Sequence, residues 1–142
     1  MIQLAPHLQS EVSAHCEEDY PHECCGLLVG QFSRNGSKQV VEVRRTSNAR
    51  EQEAKHHRFL IPPEEFLRVE RQSTERGLDI VGFYHSHPDH PAVPSQYDLE
   101  HAWPAYSYIV VSVRHGRTSD VRSWELQADR TAFSEEEIKK GN

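Results

Sequence analysis

The chain alternates short apolar runs with polar stretches punctuated by proline and glycine, and the period of each run predicts an element. Leu8, Val12 and Cys16 recur every four residues, one face of a helix expected over residues 6–19 and stopped by Pro21. Residues 24–32 (CCGLLVGQF) form an unbroken apolar run bounded by turn residues, the pattern of a buried strand. Residues 33–36 read as a turn, and residues 39–43 alternate as the hairpin partner. Residues 44–57 are polar and irregular, an expected loop, followed by a short apolar strand over residues 59–61. Pro62, Pro63, Glu64 and Glu65 open a second helix, because proline suits the first turn and acids suit the positive end of the helix dipole. Phe66, Val69 and Ser73 share its inner face, and Gly77 ends it. A third buried strand is expected over residues 80–85, a proline-stiffened loop over 88–94, a short helix over 95–102 and a long buried strand over 106–113. His115 and Gly116 then turn the chain into a final strand over residues 120–126. This order predicts a mixed α/β sheet with helices packed against it, rather than a regular βαβ repeat.

Composition narrows the class. A chain of 142 residues is expected to form one domain, 1–142. With 36% hydrophobic and 27% charged residues the composition is that of a soluble globular protein, and the dense apolar runs argue against disorder. A net charge of -6, with no basic run longer than Arg44-Arg45 or Lys139-Lys140, disfavours nucleic acid as a partner. The N-terminus has no basic and apolar signal regions, and no stretch nears the ~20 apolar residues that span a bilayer, so no membrane partner is expected. Three cysteines make an odd count, and Cys24 and Cys25 are adjacent, so a disulfide framework is not expected and a reducing cytoplasm is the simplest home.

The chemistry concentrates in residues 82–98. His85 and His87 stand two apart at the end of an apolar strand, so their imidazoles project from the same face and can grip one ion. Asp98 follows eleven residues later, after a loop that can fold its carboxylate back onto the pair. Two imidazoles and one carboxylate make a three-ligand zinc site whose fourth position stays open for water, the hallmark of a catalytic rather than structural ion. Against this stand plainer readings: an exposed His-x-His dipeptide, and a capping box in which Ser95 and Asp98 merely close a helix. Glu23, just before a buried strand, is the best-placed carboxylate for moving protons, although spacing alone describes it equally as an exposed acid. A thiol dyad built on Cys24 or Cys25 lacks an orienting partner; Cys25 is expected in the core. Asp89 and His90 could touch the site from the loop, while His22, His56 and His57 read as surface residues.

Taken together, Glu23, His85-Ser86-His87-Pro88, Ser95 and Asp98 resemble the signature of the JAMM/MPN+ metallopeptidases, and Glu23-Cys-Cys-Gly-Leu-Leu-Val-Gly30 resembles that family's lead-in strand. The likeness covers residues 5–126. It implies a mixed, mainly antiparallel sheet flanked by helices, the MPN or cytidine deaminase-like fold. It implies a Zn2+ cofactor on His85, His87 and Asp98, Glu23 as general acid/base, and Ser95 as donor to the oxyanion. The chain has little room for ubiquitin-gripping insertions. It is therefore similar to small stand-alone prokaryotic members, including the peptidase that releases cysteine from a ubiquitin-like sulfur carrier. The expected substrate is a ubiquitin-like or ThiS/MoaD-like sulfur-carrier protein, cleaved after its C-terminal Gly-Gly, with residues 46–57 as a candidate rim of the cleft. Two other readings stay open: a catalytically silent MPN scaffold that only binds protein partners, which the intact ligand set disfavours, and another zinc hydrolase such as a deaminase, whose Pro-Cys-x-x-Cys motif is absent.

Overall fold

The computed structural model describes residues 1–48 and 61–141. A short strand, β1 (Ile2–Gln3), leads into α1 (Pro6–Asp19), whose Leu8, Val12 and Cys16 are buried as their spacing predicts. β2 (Cys25–Phe32) and β3 (Lys38–Thr46) form an antiparallel hairpin. α2 (Pro63–Glu75) begins at its prolines, and Gly77, at φ 71°, turns the chain out of it in a conformation that glycine adopts without strain. β4 (Asp79–Pro88), α3 (Gln96–His101), β5 (Ser107–Arg114), β6 (Arg117–Leu126), β7 (Phe133–Glu136) and β8 (Ile138–Lys139) complete the chain.

The strands join in the order β7-β6-β5-β4-β2-β3-β1-β8. Pairs β2–β3, β2–β4, β5–β6 and β6–β7 are antiparallel, and β4–β5, β1–β3 and β1–β8 are parallel. The sheet is therefore mixed and mainly antiparallel. A parallel pair cannot be joined by a tight turn, so the chain from β4 to β5 makes an excursion that carries α3. Side-chain alternation splits the core. Leu28, Tyr84, Ile109 and Val111 pack with Leu8 and Val12 of α1, whereas Leu27, Val29 and Ile80 pack with Val69 of α2. The two long helices thus cover opposite faces. Lys38 at the start of β3 reaches Glu125 of β6 at 2.5 Å and Glu136 of β7 at 3.9 Å, so the sheet curls until its distant strands exchange charges. Among the described residues no helix is long and apolar enough to cross a membrane.

Several boundaries differ from the sequence-based expectation. β3 continues through Arg44, Arg45 and Thr46, where the polar sequence predicts a loop; the two arginines point outward to Gln72 and Glu18, so their polarity carries no sign of the backbone ladder. β6 is not the final strand, because β7 and β8 follow it. Neither they nor β1 exceed four residues, and backbone pairing rather than an apolar period holds them. Of the strand expected over residues 59–61, the first two lie outside the described residues, and Ile61 belongs to no element.

A candidate metal centre

Alternation along β4 sends Tyr84 to the α1 face, and Phe83 and His85 to the face that α2 covers. β4 lies between β2 and β5, with His85 in register with Cys25 on one side and Val110 on the other, so the backbone under the imidazole is held from both edges. β4 runs to Pro88, three residues past the expected boundary, and both histidines lie in its last four residues, at the end of the strand as expected. The loop after it folds back, and His87 Nδ1 lies 2.9 Å from the Pro91 carbonyl. A carbonyl only accepts, so Nδ1 carries the hydrogen and Nε2 presents its lone pair. Ser95 is the N-cap of α3: its Oγ accepts the Asp98 N–H at 3.1 Å, and Asp98 Oδ2 accepts the Ser95 N–H at 2.8 Å.

These local rules bring three donor atoms together. His85 Nε2 lies 3.1 Å from His87 Nε2 and 3.2 Å from Asp98 Oδ2, and His87 Nε2 lies 3.3 Å from the same oxygen. Tetrahedral ligands at zinc bond lengths of about 2.0–2.1 Å stand about 3.3 Å apart, so this triangle fits such an ion and leaves a fourth position open. Burial opposes ionisation of Asp98, but the charge and hydrogen bond of His85, the hydrogen bond of His87 and the Ser95 N–H overcome it. They hold the carboxyl well below the usual carboxylate range.

Glu23 is 4% exposed, and a carboxylate oxygen of it lies within 4.8 Å of donor nitrogens of both His85 and His87. Burial first, then the charge of Asp98 and then Cys24, push this carboxyl up to about 9, so it binds a proton far more readily than an exposed acid. Asn48 Nδ2 donates to the Glu23 carbonyl at 3.1 Å and holds its backbone. Of the segment expected to rim the cleft, Ser47 binds the Glu65 carboxylate through its N–H and hydroxyl, and residues 49–57 lie outside the described residues.

The structure thus gathers Glu23, His85, His87 and Asp98, with Ser95 attached through the cap. Asp89 is not among them, and His90 meets His87 only through its backbone, its N–H donating to the His87 carbonyl at 3.3 Å. Asp89 accepts from the Tyr20 hydroxyl at 2.6 Å and from His115 N at 3.0 Å, and His90 is exposed. Cys25 is buried, as expected, beside Thr46. His56 and His57 lie outside the described residues. Sequence reasoning missed a cleft of about 660 Å³ whose aromatic walls, Phe66, Phe83, Tyr97, Trp103, Tyr106 and Tyr108, run up to His85 and Asp98. The signal was the spacing of Tyr97 and His101, one helical turn apart and stacked at 4.1 Å, followed by three aromatic residues within six positions.

Residues 5–127 match the family of prokaryotic homologs of the JAB domain. A desampylase of Haloferax volcanii is 33% identical over 116 residues, covering 78% of this chain and 80% of that protein. A CysO-cysteine peptidase of Mycobacterium tuberculosis is 31% identical over 127 residues, covering 89% and 83%. The crystal structure of a JAB1/MPN domain protein from Archaeoglobus fulgidus aligns over 98% of this chain and 95% of its own with a TM-score of 0.58. At 15% identity that likeness shows the fold alone.

Proposed function

This chain is a JAMM-type peptidase belonging to the prokaryotic JAB-domain family, and from that premise we propose that it uses one Zn2+ ion to hydrolyse the amide following the C-terminal Gly-Gly of a ubiquitin-like or sulfur-carrier protein. The observation that carries the metal reading is the 3.1–3.3 Å triangle of His85, His87 and Asp98. When bound there, zinc would polarise the scissile carbonyl and lower the pKa of a water to about 7.

The chain's own residues supply the rest. Glu23, buried and with a carboxylate oxygen within 4.8 Å of donor nitrogens of both histidines, takes a proton from the attacking water and returns it to the departing amine. Ser95 Oγ already accepts the Asp98 N–H, and its hydroxyl hydrogen remains to be given to the oxyanion. The Ser95 N–H in turn fixes the Asp98 oxygen that faces the imidazoles.

Kinship with a desampylase and a CysO-cysteine peptidase supports a protein conjugate as substrate, and glycines let a tail's backbone approach the donors closely. The aromatic cleft beside His85 gives room for residues flanking the scissile amide. A silent scaffold would have no use for three convergent donors.

The test is to offer the zinc-loaded chain a sulfur-carrier protein extended by one cysteine or a peptide after Gly-Gly, beside its last six residues as a free peptide. The protein should be cleaved after Gly-Gly and the peptide far more slowly, because the folded partner supplies binding energy that positions the bond. Equal cleavage of both, or cleavage after bulky residues, would make this a general peptidase.

A further inference from the structure

We propose that Cys16 and Cys24 are a modification site for hydrogen peroxide, which joins them in a reversible intramolecular disulfide that slows the enzyme. Their sulfurs lie 3.3 Å apart, and a bond of about 2.05 Å needs them to close by only about 1.3 Å. Cys16 comes from the last turns of α1 and Cys24 from the residue before β2, so the bond would tie a helix to the start of a central strand, next to Glu23. Alternation selects the pair: Cys24 packs with Cys16 in the α1 core, whereas Cys25 is turned to Thr46 and the Ser47 carbonyl.

The surroundings favour Cys24 as the attacking sulfur. Its hydrogen bond with Cys16 and the neighbouring His15 lower the pKa of its thiol, against burial; Cys16 is pushed up, and burial pushes Cys25 up to about 12. His15, Asp19 and Cys24 offer donor atoms within 4.8 Å of one another, and Asp19 is 45% exposed, so the cluster lies one side chain beneath the surface. The Cys24 thiolate attacks one peroxide oxygen and breaks the O–O bond, giving a sulfenic acid and a hydroxide that is protonated to water. Cys16 sulfur then attacks the sulfenic sulfur and expels the second oxygen as water. Two thiols and one peroxide thus become one disulfide and two waters.

The route to the rate rests on the peptidase reading. Cys24 N donates to Ser86 Oγ at 2.9 Å, and Ser86 N donates to the Cys24 carbonyl at 3.1 Å. Ser86 separates the two histidines, and Glu23 directly precedes Cys24. Movement of Cys24 is therefore passed to the proton carrier and to the strand of the ligands.

The experiment treats the reduced full chain with peroxide and maps its peptides without reduction, then measures turnover before and after dithiothreitol. A Cys16–Cys24 cross-link, a mass loss of about 2 Da and a several-fold fall in kcat that dithiothreitol reverses are expected. A Cys16→Ala variant, which keeps Cys24 and its bonds to Ser86, should turn over near the parental rate and form no intramolecular disulfide under peroxide. A cross-link through Cys25, no cross-link while a free thiol control is oxidised, or a cross-link without slowing would overturn the proposal. So would a second zinc per chain that Cys24→Ala removes, since the cluster would then be a metal site. A chain that forms the bond yet cleaves no carrier protein would count against the peptidase reading and leave the disulfide standing.

Discussion

Asp98 Oδ2 accepts the Ser95 N–H at 2.8 Å while lying 3.2 Å from His85 Nε2, so one carboxylate oxygen both closes α3 and faces the imidazoles. The capping box and the proposed ligand set are therefore compatible in one arrangement of the same residues. A helix of six residues offers little rigidity of its own, and the reciprocal cap fixes the carboxylate before any ion arrives. That preorganisation is what a three-ligand site on two separate elements needs.

Replacing Ser95 by alanine removes the acceptor of the Asp98 N–H but keeps the backbone N–H that holds Asp98 Oδ2. Thermal unfolding should show a loss of about 1 kcal/mol for the missing cap. Zinc content should stay near that of the parent, and turnover should fall ~100-fold if the hydroxyl serves the oxyanion. Parental turnover would confine Ser95 to capping.

Metal analysis gives the direct test of the triangle. The parent should bind one zinc per chain, and a His85→Ala/His87→Ala variant should bind none, because a lone carboxylate cannot retain the ion. Equal zinc in both proteins would remove the assignment.

What the sequence made legible follows from where periodicity is imposed. β2, β4 and β5 are buried centrally, so burial writes them as apolar runs, and the His-x-His spacing on β4 could be read before any coordinates. α1 was legible from Leu8, Val12 and Cys16 alone. β1, β7 and β8 left no pattern, because two to four residues of mainly polar chain are held by their neighbours' backbone groups. Within the site, spacing alone could not separate Glu23 from an exposed acid. The fold decides it, since Glu23 precedes a central strand paired to the one carrying His85. The aromatic cleft escaped because its walls come from α2, β4, α3, β5 and the segments between them, and only tertiary packing assembles them.

The close approach of β4 and β5 gives a prediction about support for the ligands. A Cβ on Gly82 would stand 2.4 Å from the Ser107 carbonyl oxygen, a backbone atom that cannot swing away. Gly82→Ala should therefore destabilise by about 1–3 kcal/mol and weaken zinc retention, since His85 lies three residues along the same strand. Urea unfolding and metal content check it. A variant as stable as the parent would mean the two strands part without cost.

Glu23→Gln separates the chemistry of this carboxyl from its effect on stability. In the metal-free protein the folded carboxyl titrates near 9, well above its ordinary 4.5, first because it is buried and then because Asp98 is nearby. The folded chain thus binds the proton more tightly than the unfolded one. Its contribution to stability is complete below about pH 4.5 and is lost as pH rises toward about 9. Glutamine has no proton to lose, so the metal-free variant should hold its Tm more evenly from pH 5 to pH 8 and exceed the parent at the upper end. A bound cation favours the carboxylate, so zinc should narrow that gap. Turnover moves the other way: an amide cannot accept the proton, so the zinc-loaded variant should lose at least ~100-fold in kcat while keeping its metal. Parallel Tm curves for the two metal-free proteins would mean that Glu23 is not held protonated in the fold. Parental turnover would remove it from proton transfer, and loss of zinc would make it a ligand.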